Sequence, residues 1–249
     1  MLLFVLVLLP CSYAGPENQS IVEHYNAAEK YMDDENYEKA IEELQEVLKI
    51  NPNLAQAYNL LGIVYLKQNK SLQSSIGSFQ QAIRVDPNFP DAYFNLGITY
   101  AGAGNSPQEA LGYFEKAIAI DPNYGKAYLG LGWVTLFEKK DPQKAEGLFQ
   151  KAIDVGANKL PEAYFGLGMA YVTMGKKERA LGPVSTLRSL NRFDLAATLE
   201  SVINEESDKE AAAKSEETGG GQDEKEFSLP SAVPQPSKTE DKAPAAEQQ

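Results

Sequence analysis

A short pattern of Tyr, Leu and Gly returns four times along the chain at a nearly fixed step. Its Tyr residues are separated by 35, 35 and 36 residues, and they are Tyr58, Tyr93, Tyr128 and Tyr164. A second pattern places a large apolar residue four positions after a small one. It returns every 35 residues, beginning at Ala40, Ser75, Ala110, Ala145 and Ala180. A repeat of this length predicts an array of similar stacked units rather than a single globular core.

Each unit is predicted to contain two helices. The spacings of three, four and seven residues within the patterns place the repeated side chains on one face of a helix. The units are separated by segments with a central proline, which are Asn51-Pro52-Asn53, Asp86-Pro87-Asn88 and Asp121-Pro122-Asn123. Proline cannot continue a helix and Asn and Asp favour turns, so we expect an all-α chain that breaks at these points.

These residues resemble the tetratricopeptide repeat family. The third unit carries the family pattern nearly throughout, at Tyr93, Leu96, Gly97, Tyr100, Gly104, Ala110, Phe114, Ala117 and Pro122. The resemblance implies a right-handed α–α superhelix, a solenoid of about five helix pairs followed by a capping helix. We place the units at residues 21–54, 55–89, 90–124, 125–160 and 161–194.

The N-terminal segment, residues 1–14, is similar to a secretory signal peptide. An apolar run over residues 1–9 is followed by the small residues Ser12 and Ala14, which predict cleavage before Gly15, although no Lys or Arg precedes the run. The alternative is a lipid anchor at Cys11, which would attach the chain to a membrane, but Pro10 stands where a small residue is required. We therefore expect export to a bacterial periplasm or cell envelope.

The C-terminal part of the chain is predicted to contain one capping helix and a tail. Leu195, Leu199, Val202 and Ile203 share one face of a helix at residues 195–206, which would cover the apolar end of the last unit. Residues 207–249 are acidic, rich in Gly and Pro and poor in large apolar residues, which predicts a disordered tail. Within it, Phe227-Ser228-Leu229-Pro230 is a candidate docking segment.

Composition argues against several classes of function. The chain has 23 Lys and Arg against 35 Asp and Glu, a net charge of -12, whereas nucleic-acid binding depends on clustered cations. This argues against the RNA-binding pentatricopeptide repeats, which have a similar length. His24 is the only histidine, and Cys11 is the only cysteine. We therefore expect no His/Cys metal site, no Ser–His or Cys–His catalysis, no cofactor and no small-molecule substrate.

The resemblance also implies a binding surface. In this family the first helices of successive units line a concave groove, into which positions five and nine of each unit point. Position five is occupied by Tyr25, Asn59, Phe94, Leu129 and Phe165. Position nine is occupied by Glu29, Ile63, Ile98, Trp133 and Met169. The predicted groove is thus mostly apolar and aromatic from the second unit onward, which is typical of a protein-binding surface.

The predicted function is a non-enzymatic protein-binding scaffold or assembly factor. Position five carries no Lys or Arg in any unit, so the family's clamp for a C-terminal carboxylate is not expected, and an extended peptide or amphipathic helix is the predicted ligand. Two alternatives remain open for the apolar residues: they are buried between the first helices, or they are covered by the chain's own tail. A further alternative is a self-associating structural module of an envelope complex, which would form a homo-oligomer.

Overall fold

The computed structural model describes residues 16–68, 71–102, 106–156 and 160–217. The predicted signal peptide, Cys11 and residues 218–249 lie outside the described residues. Within the described ranges the chain forms eleven helices and no strand. The helices are α1 (Pro16–Asp33), α2 (Tyr37–Ile50), α3 (Ala55–Gln68), α4 (Leu72–Val85), α5 (Pro90–Ala101), α6 (Pro107–Ile120), α7 (Gly125–Phe137), α8 (Pro142–Gly156), α9 (Pro161–Thr173), α10 (Lys177–Ser189) and α11 (Phe193–Glu217).

Helices α1 to α10 form five hairpins, in which odd-numbered helices are the first helix of a unit and even-numbered helices are the second. The predicted all-α superhelical repeat fold is confirmed. The breaks between the first three hairpins and their successors use one turn. The Oδ1 atoms of Asn51, Asp86 and Asp121 accept hydrogen bonds from the backbone N–H two residues later, at 3.0, 2.9 and 2.9 Å. The short polar side chain before proline therefore closes each turn.

Buried phenylalanine rings join neighbouring units. Phe79, Phe114 and Phe149 on the second helices are fully buried. The Phe114 ring lies between Gly97 of its own unit and Gly130 of the next, so closely that a methyl group on Gly97 would lie 2.5 Å from the ring. The glycines of the first helices thus leave the space that each ring fills, and two units share one ring.

The last unit is completed differently, by the helix that follows it. Val184 stands where the second, third and fourth units have phenylalanine, and Leu199 of α11 lies against Gly168 instead. Leu199 is fully buried, and Leu195 and Ile203 are buried almost completely. Helix α11 therefore packs on α9 and α10 as the first helix of a sixth unit would.

Helix α11 is longer than the sequence predicted. It continues to Glu217, so residues 207–217 are helical and the prediction of a disordered tail from residue 207 was wrong there. This segment contains three consecutive alanines with Lys and Glu around them, residues of high helix propensity that continue a helix without an apolar face. Leu199 is level with Gly168, and α9 ends five residues later at Thr173. About 13 residues of α11, or about 20 Å, therefore extend past the end of α9.

Candidate peptide-binding groove

Apart from Glu29, the residues predicted to line the groove number nine, and they differ in their exposure. Ile98 is the most open of them, at 42% exposed. Five others are half-buried, namely Tyr25, Ile63, Phe94, Leu129 and Trp133. The remaining three are buried, namely Asn59, Phe165 and Met169.

Three of the accessible residues occupy the same position on successive first helices. Helices α3, α5 and α7 pack side by side, and Ile63, Ile98 and Trp133 each stand one residue after the glycine that contacts a phenylalanine ring. A residue in this position lies about 100° around the helix from that glycine. We refer to Ile63, Ile98 and Trp133 as the apolar strip. It runs across three units on the side lined by the first helices.

Trp133 belongs partly to the core. Its ring stacks on Phe137 at 5.5 Å between centroids and meets the buried ring of Phe149 edge-on at 5.0 Å. A third ring, that of Phe165, lies at 5.9 Å. Because aromatic pairs contribute about 0.5–1.5 kcal/mol beyond the area they bury, replacing Trp133 would lower stability as well as any binding. Ile98 is therefore the better site at which to test binding alone.

The structure places Phe165 and Met169 outside the accessible part of the groove. Their side chains are 6% and 8% exposed and lie in the hydrophobic cluster that includes Leu195, Leu199 and Ile203 of α11. The prediction that these two residues anchor a ligand is therefore corrected. In the last unit both of these first-helix positions are buried, whereas in the third and fourth units they are at least partly accessible.

Two asparagines of the first helices bind each other. The Asn95 Nδ2 atom donates a hydrogen bond to Asn59 Oδ1 at 2.8 Å, which links α5 to α3. Asn59 is buried, so this contact satisfies a polar group that would otherwise be costly to leave without a partner. Sequence reasoning assigned Asn59 to the groove surface and missed the pair. The signal was the occurrence of Asn at adjacent positions of the repeat in neighbouring units.

The first unit gives the same side of the array an acidic end. Glu29 is half-buried, and burial followed by the nearby Asp33 carboxylate raises its pKa above the usual value of 4.5. Burial, with a smaller contribution from Glu29, raises the pKa of Tyr25 to about 12. In the part of the chain that the structure describes, neither Glu29 nor Asp33 has a Lys or Arg partner.

His24 has a structural contact of its own. Its Nδ1 atom lies 2.5 Å from Oε2 of Glu43, which joins α1 to α2. Across the described ranges, no group of three or more His, Cys, Asp or Glu side chains is placed to hold a metal ion. Among the described helices, none combines the length and the apolar character that crossing a membrane requires.

Paired helices stacked at a 35-residue step, with an open face on the first helices, define a helical-repeat protein of the superhelical class. Models of the tetratricopeptide repeat match residues 28–69, 70–104, 90–124 and 161–181. Tetratricopeptide repeats are therefore present over residues 28–124 and 161–181. No curated protein matches it significantly.

Several solved structures have a similar fold, and nearly the full length of each of them aligns with this chain. A thermophilic tetratricopeptide repeat protein of Thermus thermophilus is 19% identical with a TM-score of 0.61, covering 74% of this chain and 98% of its own. PilW, a type IV pilus biogenesis factor, is 22% identical with a TM-score of 0.60, covering 74% and 92%. YrrB, described as having an unusual peptide-binding site, is 20% identical with a TM-score of 0.53, covering 74% and 94%. At these identities the likeness establishes the fold.

Proposed function

We propose that this protein is a non-enzymatic scaffold or assembly factor that binds a partner segment along the apolar strip. The observation that carries the proposal is Ile98, a large aliphatic side chain left 42% exposed in the middle of the array. Ile63 and Trp133 flank it on neighbouring first helices. Covering apolar side chains of this size contributes about 1.5–3 kcal/mol for each one that becomes fully buried.

The spacing of the strip favours an amphipathic helix as the ligand. Packed helices lie about 8–10 Å apart, which sets the distance between one strip residue and the next. Seven residues of a helix rise about 10.5 Å, so side chains at i, i+7 and i+14 match this spacing on one face. An extended peptide would cover the same distance in about three residues, but an odd step turns the next side chain to the opposite face.

The proposal is tested by a matched pair of variants in a crosslinked pull-down from the native envelope fraction. Ile98→Asp places a charge on the strip, and we expect it to reduce capture of the partner at least tenfold. Leu181→Asp is the control, because Leu181 is 52% exposed on α10 and lies outside the strip. It should capture the partner as the parent chain does. Equal capture by both variants would exclude the strip as the binding surface.

A second candidate function is self-association of the array. Among the described residues, four further large apolar side chains are exposed on the two terminal units and on α11, namely Val22, Ile50, Leu181 and Phe193. End-to-end stacking of copies would cover them. Light scattering over a concentration series separates the two functions: a monomer throughout rules out self-association, and an oligomer dissociated by Leu181→Asp favours it.

We also propose that the protein works outside the cytoplasm, as the signal-like residues 1–14 suggest. The similarity to a type IV pilus biogenesis factor supports an envelope role. The mass of the intact protein in the pull-down sample tests export directly. A chain that begins at Gly15 is the expected result. A lipid-modified chain that begins at Cys11 would show cleavage before Cys11 and anchoring to a membrane, and a chain that retains Met1 would overturn the proposal.

A further inference from the structure

A surface cavity of about 470 Å³ lies between α9 and α10, away from the apolar strip. This volume is in the range of ligand-binding clefts, about 300–1,000 Å³. The α9 side chains that line it are Tyr164, Leu167 and Tyr171, and the α10 residues are Glu178, Arg179, Gly182, Pro183 and Thr186. We refer to this cavity as the seam groove. At about 100° per residue, its α9 residues face nearly opposite to Phe165 and Met169.

In the third unit, the place equivalent to the seam groove is filled by side chains of that unit. There the Tyr113 ring stacks on the Tyr100 ring, with 5.3 Å between centroids and 15° between planes. The Lys116 ammonium group lies 5.8 Å from the centroid of the Tyr113 ring. In the repeat, Tyr171 corresponds to Tyr100. Pro183 and Thr186 correspond to Tyr113 and Lys116, so the last unit has neither a ring nor a cation at these two positions of α10.

The walls of the seam groove are suited to an aromatic side chain next to acidic groups. The Arg179 guanidinium group lies 4.4 Å from the centroid of the Tyr171 ring, and Nη2 donates to Tyr171 Oη at 3.1 Å. A methyl group built on Gly182 would meet no atom within 4 Å, so the approach along α10 is open. Lys176 and Arg179 are exposed beside the groove. Arg179 also pairs with Glu146 of α8 at 3.3 Å, and Glu178 is one of the lining residues, so the border of the groove carries charges of both signs.

We propose that the seam groove binds Phe227-Ser228-Leu229-Pro230 from the same chain, with the Phe227 ring in the position that Tyr113 occupies in the third unit. These four residues lie outside the described residues. Phe227 is the only aromatic residue that follows Phe193 in the sequence. It comes directly after Asp223-Glu224-Lys225-Glu226, whose net negative charge complements the exposed Lys176.

The chain is long enough to make this contact. Helix α11 ends at Glu217, about 20 Å past the end of α9, and ten residue steps separate Glu217 from Phe227. Ten extended residues span up to about 33 Å, which exceeds the length of α11 that must be retraced. The groove opens close to that end of the array, because Tyr171 is in the last turn of α9 and Arg179 is in the first turn of α10.

The test places a nitroxide spin label beside the segment in the full chain. Ser231→Cys with Cys11→Ser provides one labelling site, and nuclear magnetic resonance reports the amide signals of Tyr171, Gly182 and Thr186. We expect the label to reduce these signals at least twofold. Pro183→Tyr restores the arrangement of the third unit and fills the groove, so it should return the signals to full intensity. Phe227→Ala should do the same without altering the packed helices.

Two controls show whether the signal loss depends on the seam groove and arises within one chain. Phe193→Ala, which removes an exposed ring outside the groove, should leave the signal loss unchanged. Full-intensity signals in the labelled parent chain, or signal loss that persists in both Pro183→Tyr and Phe227→Ala, would overturn the proposal. A mixture of isotope-labelled chain with separately spin-labelled chain should show no loss. If the mixture shows the same signal loss as the chain that carries both the isotope and the spin label, the segment comes from a second copy and binding within one chain is excluded.

Discussion

The glycines of this chain have opposite surroundings on the two helices of a unit. Gly97 on a first helix lies against the Phe114 ring and has no room for a side chain. Gly112 on the second helix of the same unit has open space, since a methyl group there would meet nothing within 4 Å. Other second-helix glycines with the same open surroundings are Gly77, Gly147 and Gly182. Glycine is therefore required by packing on the first helix, whereas on the second helix it only lowers the stability of the helix.

The same substitution is expected to have opposite effects at these two positions. Gly97→Ala forces the Phe114 ring to move and should lower the free energy of unfolding by about 1–3 kcal/mol. Gly112→Ala removes a flexible residue from a helix interior that has room for a methyl group, and it should raise the free energy of unfolding by about 0.5–1 kcal/mol. Urea unfolding followed by circular dichroism measures both. A loss of stability in both variants would mean that Gly112 has a packing role that the structure does not show.

At the residue scale, sequence periodicity predicted the core better than the groove. Phe79, Phe114 and Phe149 repeat at a fixed step and are fully buried, because every unit presents them to the same neighbours. Phe165 and Met169 occupy the same repeat positions as accessible residues in earlier units. They are buried in the last unit, where Phe165 lies against the Trp133 ring and both residues share a hydrophobic cluster with side chains of α11. The repeat pattern gives the position of a side chain in the unit but not the identity of the side chains packed around it.

At the scale of helices, α11 does two things that no other helix does. It packs Leu199 against Gly168 in place of the missing phenylalanine, and it extends past the end of the array. Arg192, just before the helix, holds its start in place through ion pairs of 3.0 Å to Glu162 of α9 and to Asp194. The apolar face was predictable from the spacing of four residues. The length was not, since residues after 206 are helical through propensity and have no apolar periodicity.

Leu199→Ala is expected to destabilise the C-terminal end of the array. Leu199 is fully buried, and truncation of a buried leucine costs about 2–5 kcal/mol through lost burial and the cavity that remains. Hydrogen exchange should show faster opening of α9, α10 and α11 than in the parent chain. Ser201→Ala on the exposed side of α11 is the matched control and should change stability by less than about 0.5 kcal/mol. Similar effects from both variants would show that α11 does not stabilise the end unit through Leu199.

At the scale of the whole molecule, the array is held together by contacts between neighbours. First helices pack on the next first helix from α3 onward to α11, whereas α1 packs mainly on α2. The first unit also has His24 and Ala27 where later units have Tyr and Leu. Residues 16–50 carry ten Asp and Glu against three Lys, so charge repulsion adds to the weaker packing. Repeat arrays of this kind gain stability from each interface, and a weak end interface opens first.

We therefore expect the backbone amides of α1 to exchange at least tenfold faster than those of α5 and α7, a difference of about 1.4 kcal/mol in opening free energy. Native-state hydrogen exchange measures this for each amide. The double variant His24→Tyr, Ala27→Leu restores the pattern of the other units and should slow exchange in α1 while leaving α7 unchanged. Uniform exchange across α1, α5 and α7 would mean that the array opens as one cooperative unit.

The sharing of phenylalanine rings between units restricts how a chain of this kind can change its length. Joining Leu96 directly to Gly132 would remove 35 residues, and the Phe149 ring would still have Gly132 and Gly166 on its two sides. A loss of any other length within the same span would leave a ring facing a side chain, or a glycine facing empty space. Descendants of such a chain can therefore become shorter or longer in whole periods, and the reach of their binding surface changes by one helix spacing each time.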